Sequence, residues 1–103
     1  MVSFVYNIDR TSRRKCRCIH RHPRTWLNRW RRHSGVAMPL KCQASHCRRP
    51  VQVGAHVREE GGDGRIVWII PFCKYHNKRR SSTPIALKHG AMLVGGSMTT
   101  DCG

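Results

Sequence analysis

Cys42-Gln43-Ala44-Ser45-His46-Cys47 and, further along, Cys73-Lys74-Tyr75-His76 are the stretches whose reading decides the fold. Zinc takes deprotonated sulfur and neutral imidazole from rigid elements, usually four at a time in a tetrahedron. A cysteine pair in a tight turn converges locally, because the backbone doubles back within a few residues. Cys73 and His76, three apart, share one face of a helical first turn. Cys42, Cys47, Cys73 and His76 therefore read as a structural Zn²⁺ site. His46 is the alternative ligand in place of Cys42 or Cys47.

The gap between the two pairs reads as one β-hairpin. Val51-Gln52-Val53-Gly54-Ala55-His56-Val57 is a first strand broken at Gly54, and Glu59-Glu60-Gly61-Gly62-Asp63-Gly64 is the loop. Residues 65–71, rich in β-branched and aromatic side chains, return as the second strand. A helix over 73–80 follows and stops at Ser81-Ser82-Thr83-Pro84. Knuckle, hairpin and helix around one ion make a small α+β fold, a zinc-stapled treble clef of ββα-metal type. With 103 residues, 39% of them hydrophobic, the chain makes one small domain with tails, and a metal staple offsets the thin core. The expected divisions are a basic arm with a short Trp-containing helix (1–33), a linker (34–41), the zinc domain (42–94) and a flexible tail (95–103).

Working outward, Val2, Phe4 and Tyr6 alternate as an edge strand would. Residues 10–33 carry Arg13, Arg14, Lys15, Arg17, Arg29, Arg31 and Arg32 among other arginines, with no acidic residue. Thr25 caps a helix that runs through Arg32 and ends at Gly35. Trp26, Leu27 and Trp30 share one face of it, a pattern that suits plugging a small core better than stacking on bases. Ile85, Leu87, Met92, Leu93 and Val94 form a further apolar patch that packs against the clef. Cys16-x-Cys18-x-His20-x-His22 would put four ligands on one side of a strand. That spacing is not a common closed zinc pattern, and the surrounding arginines repel a cation, so these read as free thiols and solvated histidines. Cys102 has no partner by spacing.

Charge sets the class of partner. The chain has 20 Lys+Arg against 5 Asp+Glu, a formal net charge of +15. Such an excess draws a protein to polyanions. Nucleic acid is favoured over a membrane surface, because Tyr6, Trp26 and Trp30 accompany the arginines. The longest apolar run, Ile66-Val67-Trp68-Ile69-Ile70, is too short to cross a bilayer. The N-terminus lacks a basic stretch followed by an apolar core, so an intracellular location is expected, in cytoplasm or nucleoid, or in the host cytoplasm for a phage protein. Cysteines there are reduced or metal-bound, and the mixed Cys/His set argues against disulfides.

Gly54-Ala55-His56-Val57, followed by Trp68-Ile69-Ile70-Pro71-Phe72-Cys73-Lys74-Tyr75-His76-Asn77, resembles the HNH, or His-Me finger, endonucleases, in particular their small zinc-stapled bacterial and phage members. The resemblance spans residues 42–80. It implies that His56 is the general base that takes a proton from water, and that Asn77 falls where the family's metal-binding histidine sits, holding Mg²⁺ or Mn²⁺. The chain departs from the family at Ala55, where a metal ligand usually precedes the base. It departs again near Trp68, where the family has an asparagine. The implied catalytic metal site is incomplete unless Glu59 or Asp63 contributes.

Three functions follow as expectations. The first is a zinc module that binds nucleic acid, DNA ahead of RNA, through phosphate contacts from the arginines of 10–33 and from Arg48, Arg49, Lys78, Arg79 and Arg80. The second is a divalent-metal-dependent nuclease with His56 as base. The third is a small phage-type inhibitor or scaffold that binds another protein.

Overall fold

Apolar, β-branched residues on both sides of a turn pair as the sequence leads one to expect. Strand β2 (Val53–Glu59) lies antiparallel to β3 (Val67–Phe72), with Ala55 opposite Ile70 and His56 opposite Ile69. The computed structural model describes residues 3–8, 26–62 and 66–96. Within them the elements run β1 (Phe4–Asn7), α1 (Trp26–Ser34), β2, β3, α2 (Lys74–Asn77), β4 (Ile85–Ala86) and β5 (Val94–Gly96). The result is a small α+β protein around one antiparallel sheet of order β4-β1-β2-β3-β5.

Three expectations change. First, β2 has no break at Gly54. A Cβ on Gly54 would lie 2.5 Å from the Leu27 amide nitrogen and 2.7 Å from the Trp26 carbonyl carbon. The glycine admits the backbone of α1 onto the strand, so it serves close packing and not a bend. Second, β1 is not an edge strand. It pairs with β2 (Tyr6 opposite Arg58) and with β4 (Val5 opposite Ile85), and the short strands β4 and β5 take the edges. Third, Gly95 and Gly96 do not begin a frayed tail but pair with Trp68 and Val67 of β3.

Strand alternation divides the interior into two cores on opposite faces of the sheet. Val5, Ala55, Val57, Ile70 and Phe72 face one way, joined by Ile85, Leu87 and the cysteines 42, 47 and 73. Ile69 and Val94 face the other way, covered by Trp26 and Trp30 of α1. Both tryptophans are buried, and Trp30 Nε1 donates to the Met92 carbonyl at 2.8 Å. Helix α1 ends as expected at Gly35, whose φ of +73° suits the residue that turns the chain out of a helix. Residues 1–2, 9–25, 63–65 and 97–103 lie outside the described residues, Val2 of the expected edge strand among them. So do Arg13, Arg14, Lys15, Arg17, the Cys16–His22 segment, Thr25, Asp63 and Cys102.

Gly54→Ala is expected to lower stability by about 1–3 kcal/mol, because the added methyl meets backbone that cannot swing aside. Gly95→Ala, with nothing within 4 Å of its Cβ, should change stability by less than about 0.5 kcal/mol. Chemical denaturation of the two variants checks the contrast.

Candidate metal centre

Residues 41–50 form a closed turn. Lys41 bridges to Pro50, the Cys42 amide donates to the Arg49 carbonyl at 2.8 Å, and the Cys47 amide donates to the Ala44 carbonyl at 3.1 Å. His46 occupies the left-handed region at φ +64°, a conformation in which His is enriched among non-glycine residues. It swings outward into solvent and takes no part in the cluster, so the ligand ambiguity resolves in favour of the cysteines. The turn is stitched to the chain beyond α2: the Ser45 amide donates to the Ala86 carbonyl at 2.7 Å and the Lys88 amide to the Gln43 carbonyl at 2.9 Å.

The second pair is positioned by a helix start. Cys73 is the N-cap of α2 in extended conformation, and its sulfur accepts from the His76 amide at 3.5 Å. Capping holds the cap side chain over the third helical residue, so Cys-x2-His brings sulfur and imidazole together. The helix expected over 73–80 is a single turn, Lys74–Asn77. Asn7 of β1 explains the early stop. Its Nδ2 donates to the His76 carbonyl at 2.6 Å and to the Arg79 carbonyl at 3.1 Å, satisfying groups that a longer helix would have satisfied itself.

Both pairs meet at one point. One ligand atom from each of Cys42, Cys47, Cys73 and His76 lies within 4.8 Å of all the others. Cys47 Sγ and Cys73 Sγ are 3.9 Å apart. His76 Nδ1 lies 3.4 Å from Cys73 Sγ and 3.7 Å from Cys42 Sγ. A tetrahedron with metal–sulfur bonds of about 2.3 Å and a metal–nitrogen bond of about 2.0–2.1 Å has edges of about 3.8 Å (S to S) and about 3.6 Å (S to N). The separations of 3.4, 3.7 and 3.9 Å lie near those edges, and a disulfide would need sulfurs about 2 Å apart. The site can hold a metal ion such as zinc.

Electrostatics favours the ligating forms of Cys47 and His76 and works against that of Cys42. Burial pushes the Cys42 thiol up to about 12, although the backbone amides of Ala44 and Cys73 donate toward its sulfur. Burial also acts upward on Cys47. It is outweighed by a hydrogen bond from the Arg49 amide, by the neighbouring thiols and by the Lys88 ammonium, so that thiol lies below its ordinary range. Burial first, then the Arg79 and Arg49 guanidiniums, hold His76 below the usual imidazole value, which keeps it neutral and able to coordinate at pH 7. Lys88 Nζ donates to the Cys47 carbonyl at 2.8 Å, placing a cation beside a centre that three thiolates would leave at about −1.

Asn7 and Lys88 escape sequence reading. Their partners lie far off in the chain, and no local pattern marks either residue. His56 sits elsewhere. It is 1% exposed, on the face covered by α1, with its ring edge-on to Trp26 at 4.2 Å between centroids. The cluster belongs to the opposite face. The structure thus separates His56 from the Cys/His centre by the thickness of the sheet. Asn77 ends α2, half-buried. Arg48, Arg49, Lys78 and Arg80 are exposed and Arg79 half-buried around the centre, while Arg31 and Arg32 lie exposed on α1.

Protein prepared without chelator is expected to contain about one zinc per chain, and Cys47→Ser or Cys73→Ser to lose most of it, by elemental analysis. Protons compete with the metal. Cys42 must give up a proton to bind, and His76, its value lowered by burial and the nearby guanidiniums, takes one up only at more acid pH than an ordinary imidazole. Affinity should therefore fall about tenfold per pH unit for each thiol re-protonated, steepening at acid pH, and competition with a chromogenic chelator measures it. No family model, curated protein or solved structure matches this chain.

Proposed function

We propose that the chain is a zinc-stapled module, treble-clef-like and similar in form to the His-Me finger proteins, that binds nucleic acid without cleaving it. The observation that carries this reading is the charge around the metal centre. Lys41, Arg48, Arg49, Lys74, Lys78 and Arg80 are exposed there. The only carboxylates among the described residues, Glu59 and Glu60, lie at the other end of the hairpin. A surface so one-sided costs self-repulsion unless a polyanion neutralises it. The zinc supplies rigidity and holds the turn at 41–50 beside α2, so cations from two distant segments share one surface.

Burial of His56 supports binding over hydrolysis. A general base must reach the proton of an attacking water, and this ring is roofed by Trp26 and packed within the α1 core. Its role on this reading is structural: an imidazole opposite Ile69 fills the space that α1 covers.

The test pairs a binding and a cleavage assay on zinc-loaded protein. Binding to labelled duplex DNA should weaken steeply as salt rises. Supercoiled plasmid and RNA should stay intact with Mg²⁺, Mn²⁺ or EDTA. His56→Ala should lower stability by about 1–3 kcal/mol with little change in DNA affinity. Metal-dependent nicking abolished by His56→Ala would establish a nuclease instead.

A further inference from the structure

Tyr75 of α2 is half-exposed, and two guanidiniums lie over it. Arg49 Cζ is 5.2 Å from the ring centroid and Arg79 Cζ is 5.5 Å away, with Arg79 Nη1 donating to the Tyr75 hydroxyl at 3.1 Å. The molecule contains an instructive contrast in Tyr6. There a single guanidinium, Arg58, sits 4.6 Å from the ring, and the tyrosine hydroxyl donates to Glu60, so a carboxylate balances the charge. At Tyr75 two cations share one ring, and no carboxylate among the described residues accompanies them.

Gathering two guanidiniums works against Coulomb repulsion. Attraction to the ring face returns only about 0.5–1 kcal/mol per exposed pair. Exposed Arg48, Lys74, Lys78 and Arg80 add to the repulsion, and the loaded metal centre supplies only about one negative charge against it. The missing component is an anion. Arginine's planar fork favours an oxyanion that takes two hydrogen bonds at once, which is phosphate geometry.

Resting on the nucleic-acid reading above, we propose that Arg49, Tyr75 and Arg79 form a defined seat for a backbone phosphate, with Tyr75 as the positioning residue that spaces the two guanidiniums. The ring orders both arginines before the ligand arrives. The metal centre fixes the seat's two halves, since Arg49 follows Cys47 in the turn while Tyr75 and Arg79 flank His76. Arg79 is further anchored through its own carbonyl, which accepts from Asn7 at 3.1 Å.

The experiment is a salt titration of duplex-DNA affinity by fluorescence anisotropy, using zinc-loaded full-length chain. The variants are Arg49→Ala, Arg79→Ala, Arg79→Lys, Tyr75→Leu and the control Arg58→Ala, each first checked for zinc content. Arg49→Ala and Arg79→Ala are each expected to reduce the slope of log K against log salt by up to about 0.9, the share of the single phosphate they hold together, and the double variant by no more than about 0.9. Tyr75→Leu, which removes no charge, should weaken binding several-fold at every salt concentration with the slope kept. Arg58→Ala should leave the slope unchanged. If Arg79→Ala fails to hold zinc, Arg79→Lys takes its place, with an unchanged slope and a lower affinity expected. Equal slope losses in Arg49→Ala and Arg58→Ala, or wild-type affinity in Tyr75→Leu, would overturn the seat while leaving nucleic-acid binding intact. No binding of wild type to single- or double-stranded DNA or RNA at low salt would overturn both.

Discussion

Three sulfurs and one imidazole nitrogen gathered within 4.8 Å of one another are the constraint on which the rest of this structure depends. The two halves of the cluster come from a turn at 41–50 and from the start of α2, and the β2–β3 hairpin carries the chain between them. Buried thiols and imidazole crowded together gain little from one another; a shared cation turns that crowding into attraction. Everything nearby serves the convergence. The sheet holds Phe72 and then Cys73 at the end of β3, Asn7 stops α2 after one turn, and residues 86–88 pin the cysteine turn from outside.

The sheet separates this centre from a second core, built among the described residues on aromatic and aliphatic side chains. Trp26, Trp30, Ile69 and Val94 close over the opposite face, and one glycine decides how near the helix comes. His56 belongs to this side. Strand alternation turns His56 of β2 away from the metal centre, whereas His76 reaches that centre from α2. A histidine's chemistry depends on what surrounds it, and the ring of His56 is surrounded by aromatic packing where that of His76 meets sulfur.

Charge completes the proposed account. Among the described residues the carboxylates lie at the hairpin tip near Tyr6, and cations surround the metal centre. Metal and charge are then coupled: the proposed zinc holds Arg49 near Arg79, and the proposed phosphate relieves the repulsion that this proximity creates. Occupancy of either site should favour the other, since each reduces a cost the other imposes.

Much of the local structure was legible in the chain itself. The hairpin followed from β-branched residues on either side of a glycine-rich loop, and helix α1 from the spacing of Trp26 and Trp30 and the glycine after it. The ligand quartet followed from two short spacings, because a turn and a helix start each bring a pair together within a few residues. Tertiary structure decided what depends on distant parts meeting. It chose Cys47 over the adjacent His46, since the backbone at φ +64° turns the imidazole away. It drew β1 into the interior of the sheet, where Asn7 reaches α2 across the fold, and gave Gly54 its purpose through a helix that precedes it in the chain. It also buried His56. Sequence spacing specifies contacts between neighbours, whereas the face a strand residue occupies and the element that covers it are properties of the assembled sheet.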